Sequence, residues 1–243
     1  MGLEGAPGIG VLRERHLHAS IRRRYAEPGD REEVPVDGYV IDLVRGDQLI
    51  EVQTRGFAGI KPKVRALLER GHRLRIVHPI AVDRWIVQVE ADGTFLTRRR
   101  SPRHGALADI ASELITFPDL LAEPGFEIEV LLTTEEEYRH LVAGMCWRRR
   151  GWTVLERRLV DVLDRVVLAE PDDLARLLPA GLPATFTTAD LAAQLRRPRR
   201  VAQHVAYCLA KAHVIEDVGK RGNSVAYRTV PDDDRLARPL FDV

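Results

Sequence analysis

Asp42-Leu-Val-Arg-Gly-Asp-Gln-Leu-Ile-Glu51-Val-Gln53 reads as two short β-strands on either side of a tight turn. A two-residue turn at Gly46-Asp47 pairs Arg45 with Gln48 and therefore Asp42 with Glu51. Side chains alternate along a strand, so Glu51 and Gln53 share a face and Asp42 points to it from the neighbouring strand. Tyr39, Ile41 and Leu43 then fall on the other face with Ile50 and Val52. Facing carboxylates repel each other, and a sheet keeps them most usefully where a hard divalent cation lies between them. Such a site suits metal-assisted phosphodiester hydrolysis.

Residues 11–25 read as a helix, with Leu12, Leu17 and Ile21 as its apolar stripe and Glu27-Pro-Gly-Asp30 as its stop. The hairpin strands are expected at 38–44 and 48–54. Residues 57–70 read as a helix with Ile60, Val64, Leu67 and Leu68 on one face. A strand is expected at 74–78, a hairpin at 84–90 and 94–98 around Asp92-Gly93, a helix at 107–115 and a strand at 126–132. This order is an α/β layer pattern. Domain boundaries are expected at 10–138 and 139–230, flanked by tails at 1–9 and 231–243.

The texture changes near Arg139. Helices are expected at 154–168, 172–178, 188–195 and 199–213, followed by a hairpin at 214–218 and 224–228 with Gly219-Lys-Arg-Gly-Asn223 at its tip. Helix, short turn, helix and hairpin is the winged form of helix-turn-helix. The whole chain carries a net charge of +1, but residues 139–230 hold 16 Lys/Arg against 9 Asp/Glu, or +7, which leaves −6 elsewhere. A basic second half suits a polyanion. In a helix-turn-helix the second helix meets DNA, which points to Arg196, Arg197, Arg199, Arg200, Gln203 and His204, with Lys220, Arg221 and Asn223 on the wing. A second basic cluster, Arg98-Arg-Arg100 with Arg103 and His104, lies in the first half. Cys146 and Cys208 read as buried free thiols. No stretch is apolar enough for a membrane span and no leader is apparent, so a cytoplasmic protein is expected.

Asp42, Glu51 and Gln53, with their flanking helices and strands, resemble the PD-(D/E)XK nuclease superfamily over roughly residues 10–80. The resemblance implies an α/β restriction-endonuclease-like domain of helix, mixed sheet and helix, here followed by a mainly α winged-helix domain. It implies Asp42 and Glu51 as ligands of Mg²⁺ or Mn²⁺. It places Gln53 where the superfamily carries a catalytic lysine, Lys61 on the next helix as that lysine's replacement, and Glu14 on the first helix as a further acidic member. His18, one turn after Glu14, and Asp37, near the site in sequence, read as structural. Val36-Asp-Gly-Tyr-Val-Ile-Asp-Leu-Val44, Leu49-Ile-Glu-Val-Gln-Thr54, Trp147-Arg-Arg-Arg-Gly-Trp152 and Gly219-Lys-Arg-Gly-Asn223 also resemble an uncharacterised bacterial family with no assigned activity.

The expected function is therefore a metal-dependent nuclease that hydrolyses DNA, targeted to duplex by its C-terminal domain and acting in defence or DNA processing. It would work as a homodimer or with a partner protein of a larger system, and not at a membrane. Gln53 favours the competing reading, a non-catalytic DNA-binding regulator or adaptor.

Overall fold

The computed structural model describes residues 9–117, 119–142 and 151–231, with side chains in the first helix described from His16 onward. Helix α1 (Ile9–Tyr25) is followed by β1 (Arg31–Val36), β2 (Tyr39–Arg45) and β3 (Gln48–Val52). A 3-10 turn at Phe57–Gly59 leads into α2 (Lys61–Glu69), with Pro62 in its first turn, where no helical N–H partner is lost. Next come β4 (Arg73–Val89), β5 (Phe95–Arg100), α3 (Ala111–Leu114) and β6 (Phe126–Leu141). The later elements are β7 (Trp152–Leu168), a 3-10 segment at Pro171–Leu177, β8 (Phe186–Thr187), α4 (Thr188–Leu195), α5 (Arg199–Lys211), β9 (Ile215–Arg221) and β10 (Ser224–Thr229).

Seven strands form one mixed sheet in the order β1-β2-β3-β4-β6-β7, with β5 pairing β4 beyond the end of β3. The β2–β3 turn closes as expected, through Arg45↔Gln48, Val44↔Leu49 and Leu43↔Ile50. β3 then pairs β4 in parallel, which the crossover through α2 permits. Two clusters cover the two faces. Leu17, Ile21 and Tyr25 of α1 pack on Leu43, Ile50, Val52, Val77 and Leu131. Val64 and Leu67 of α2 share the opposite cluster with Ile41, Val44, Leu49, Ile76 and Ile128. Ile41 and Leu43 therefore bury in different clusters, and the simple alternation expected for β2 breaks at Asp42.

The expected fold class is corrected. Strand outweighs helix, 43% against 29%, so the chain is mostly β around a large mixed sheet rather than an α/β restriction-endonuclease-like domain joined to a mainly α winged-helix domain. Residues 154–168, expected as a helix, form most of β7, antiparallel to β6 from Ile128↔Leu168 to Leu141↔Trp152. Their apolar spacing matches a helix, but the open edge of β6 offers a full row of backbone partners, and tertiary context overrides propensity. Residues 172–178 lie in a 3-10 segment rather than an α-helix. The 138/139 position falls inside β6, so the sheet runs on without a break there. Strand β1 was not anticipated; it is an exposed edge strand whose Pro35 costs no ladder bond at the outer rim.

The helix expected at 188–195 forms with those bounds and is capped by Thr187. Its Oγ1 accepts from the N–H of Ala189 and Asp190, and Asp190 accepts from the Thr187 N–H at 2.7 Å. Helices α4 and α5 do not stand apart. Ala202, Val205, Cys208 and Leu209 of α5 bury in the same cluster as α2 and α3. His204 Nδ1 lies 3.0 Å from Ser112 Oγ, which docks the N-terminal half of α5 on α3. Burial pushes the Cys208 thiol up to about 12, so it is an inert core group. Cys146 and the Trp147–Arg150 run lie outside the described residues, as do nearly all of both expected tails.

Candidate active site

Strands β2 and β3 separate just past the Leu43↔Ile50 pair, and two carboxylates stand at the fork. The Asp42 N–H donates to Glu51 Oε1 at 3.3 Å, and the Val52 N–H donates to Asp42 Oδ2 at 2.9 Å. Each carboxylate thus replaces a ladder partner that the diverging strand has withdrawn. The pairing expected between Asp42 and Glu51 is not part of the ladder, which stops at Leu43↔Ile50; the two residues meet instead through these side-chain bonds to backbone.

Two cations reach this fork from opposite faces of the sheet. His18, beside Leu17 on α1, places Nε2 3.0 Å from Asp42 Oδ2. Lys63 on α2 donates its Nζ to Glu51 Oε1 at 2.6 Å and to the Val40 carbonyl at 2.7 Å. The side chains of Asp42 and Glu51 are only 18% and 12% exposed, so these pairs form largely out of water. The carboxylates are driven apart electrostatically. Burial pushes Asp42 up, but His18, the Val52 N–H and Lys63 outweigh it and hold its carboxyl below the usual range. Burial pushes Glu51 up and the Asp42 charge adds to this, so Glu51 stays above its usual value despite Lys63.

The remaining expected residues lie elsewhere. Lys61 donates to the Thr116 carbonyl at 2.8 Å, so the lysine at the carboxylates is Lys63. Helical spacing does not separate the two: Lys63 lies three residues after Ile60 and four before Leu67, Lys61 three before Val64 and seven before Leu68, so they flank the apolar stripe on opposite sides and only the packed sheet shows which one meets Glu51. Gln53 turns its amide onto the Gly56 carbonyl at 3.0 Å. Glu14 belongs to α1, but its side chain is outside the described residues. Asp37 binds His72 at 2.7 Å, away from the fork, in keeping with a structural role. His18, expected as structural, touches Asp42 directly.

Two carboxylates suit a hard cation that completes its shell with water and substrate phosphate. Among the described residues, the hydrogen bonds of this pair fall on Asp42 Oδ2 and Glu51 Oε1, which leaves Oδ1 and Oε2 for such an ion. Among the described residues no group of three or more His, Cys, Asp or Glu is arranged to hold a metal ion.

The residues expected to meet DNA are mixed in placement. Arg196, Arg199, Arg200, Gln203, Lys220, Arg221 and Asn223 are exposed. Arg197 is committed to Asp109, with Nε donating to Oδ1 at 2.9 Å. Arg221 is ion-paired with Asp190 at the start of α4, and His204 is held against Ser112.

A family described as "Domain of unknown function (DUF8091)" matches residues 15–169, which contain the whole carboxylate fork. An uncharacterised protein of Treponema pallidum (strain Nichols) is 26% identical over 235 residues, covering 95% of this chain and 91% of its own length. No solved structure matches. Among the described residues no helix is long and apolar enough to cross a membrane.

Proposed function

The chain belongs to the DUF8091 family, and from its carboxylate fork we propose a Mg²⁺- or Mn²⁺-dependent nuclease that hydrolyses phosphodiester bonds in DNA. The observation that carries this is the convergence of Asp42 and Glu51, each with one oxygen engaged and one left over, beside the Lys63 ammonium. Asp42 and Glu51 would hold the cation, which supplies Lewis-acid activation of a phosphoryl oxygen and of an attacking water. Lys63 balances charge that builds on the phosphate. His18 fixes the Asp42 carboxylate through Oδ2. The exposed arginines at the start of α5, with Lys220 and Asn223, would meet duplex phosphates. A homodimer or partner protein would bring two such forks to the two strands. A cytoplasmic setting in defence or DNA processing goes with this activity.

Supercoiled plasmid incubated with Mg²⁺ or Mn²⁺ tests the proposal. Wild type should nick it, while Asp42→Ala and Glu51→Ala should not, with unchanged circular dichroism. Equal nicking by those variants refutes it. The placement of Gln53 on the Gly56 carbonyl favours a second reading, a DNA-binding adaptor without chemistry. Retarded mobility of DNA in EDTA together with no cleavage under any metal would select it.

A further inference from the structure

A trough lined by arginine opens on the face of the sheet that carries Glu51. Glu51 pairs with Ile76 in parallel register, so both point to the α2 side. His78, two residues on, lines a cleft of about 430 Å³ together with Arg84, Arg103, Arg157 and Arg197. A second cleft of about 290 Å³ shares Arg84, Arg103 and Arg157 and adds Arg99 and Arg139. The two adjoin at these three shared arginines. The floor is a row across four strands: Arg99 opposite Ile86, Ile86 opposite Glu137 and Glu137 opposite Arg157.

The wall of the groove is built rather than incidental. Strand β4 bulges between Ala81 and Asp83, and the loop after β5 is tied to that bulge. The Ser101 N–H donates to the Arg84 carbonyl at 2.7 Å, and the Gly105 N–H to the Ala81 carbonyl at 2.8 Å. This sets Arg103 at the junction of the two clefts. Arg103 and Arg99 are exposed and form no salt bridge among the described residues. Arg84, Arg139 and Arg157 are spaced by the buried carboxylate of Glu137, and Arg84 also pairs with the buried Glu135 at 3.4 Å, so two carboxylates orient three guanidinium groups and leave one net positive charge among them. Among the described residues, the lining carries no aromatic ring on which a base could stack apart from the two histidines.

We propose that this trough holds the phosphodiester backbone of one nucleic-acid strand, reads its phosphates rather than its bases, and leads it to the Asp42–Glu51 fork. The assignment rests on the nuclease reading for its direction but not for the binding itself. Arg99 and Arg103 offer forked donors to successive phosphates, backed by the ion-paired Arg84, Arg139 and Arg157 beneath them.

Binding of fluorescent single-stranded and duplex 20-mers in EDTA, where no metal chemistry occurs, tests it. The Arg99→Ala/Arg103→Ala double variant should bind about tenfold more weakly, and its salt slope on single strands should fall by roughly 1.4, two phosphates' worth. Because both side chains are exposed, the melting temperature should not move. The charge-reversed R99E/R103E should bind still less. A greater loss on the single strand assigns the trough to a free strand, and an equal loss assigns it to one strand of a helix. Unchanged affinity and slope on both probes overturn the proposal, as does absence of binding by wild type. Asp42→Ala serves as the independent arm: it should bind as wild type and not cut. Cleavage by it would remove the nuclease reading and leave the trough standing.

Discussion

Lys63 Nζ sits 2.6 Å from Glu51 Oε1 and clips β3 to β2 through its second bond, to the Val40 carbonyl. One ammonium thus closes the fork where the two strands part. Lys63→Ala should lower metal-dependent cleavage by about 10²–10³, the usual loss when one charge-stabilising donor is removed. Lys61→Ala should stay within a few-fold of wild type, because Lys61 is spent on Thr116. Plasmid nicking by the two single variants, side by side, separates them.

His18 acts on Asp42 from the opposite face. His18→Ala should weaken the cation rather than the fold, raising the Mg²⁺ or Mn²⁺ needed for half-maximal cleavage by about 10–100-fold. Metal titration of nicking rates, with calorimetric Mn²⁺ binding alongside, checks this. An unchanged titration midpoint would place His18 outside the site.

His78 is buried edge-on to Phe57, with ring centroids 5.1 Å apart, and donates Nδ1–H to the Gln53 carbonyl at 2.7 Å. Burial pushes its pKa below the ordinary value, against the smaller pull of that carbonyl and of Glu113. The unfolded chain takes up the proton near pH 6.5 and the folded chain only at lower pH. Stability should therefore fall as the pH drops below about 6.5. His78→Phe should flatten this slope while costing about 0.5–1.5 kcal/mol at neutral pH for the lost hydrogen bond. Urea melts across the acid range give the answer, and parallel pH profiles for both proteins would count against it.

Gly105 lies against the β4 bulge so closely that a Cβ would meet Ile80 Cγ2 at 2.6 Å and the Ala81 carbonyl oxygen at 2.7 Å. One of those contacts is backbone and cannot yield by a rotamer change. Gly105→Ala should destabilise by about 1–3 kcal/mol, as overpacking does. Denaturant unfolding measures the loss, and a wild-type midpoint would show that the loop can lift without cost.

Much of the fork was legible beforehand because its logic is local. Gly46-Asp47 sets the turn, the turn sets the register as far as Leu43↔Ile50, and Asp42 and Glu51 come next where the strands part. The helix at 188–195 was legible for the same reason, because its cap lies next to it in sequence. Lys63 was not, since Lys61 and Lys63 flank the stripe of Ile60, Val64 and Leu67 on either side and spacing does not choose between them. β7 was not: its Val- and Leu-rich pattern fits either period, and only the vacant edge of β6 selects the strand. The arginine trough was legible only in part: Arg99 and Arg103 belong to the basic cluster read at 98–104, whereas Arg84, Arg139, Arg157 and Arg197 come from four other stretches of chain.

Composition, turn chemistry and side-chain period determined the early hairpin, its paired carboxylates and the helices on either side of it, because each depends on neighbours within a few residues. Which lysine meets Glu51, whether residues 154–168 coil or extend, and how α5 is buried were decided by packing across the sheet. Those outcomes depend on which backbone edge or apolar face lies opposite, and a partner more than a dozen residues away leaves no mark in local spacing.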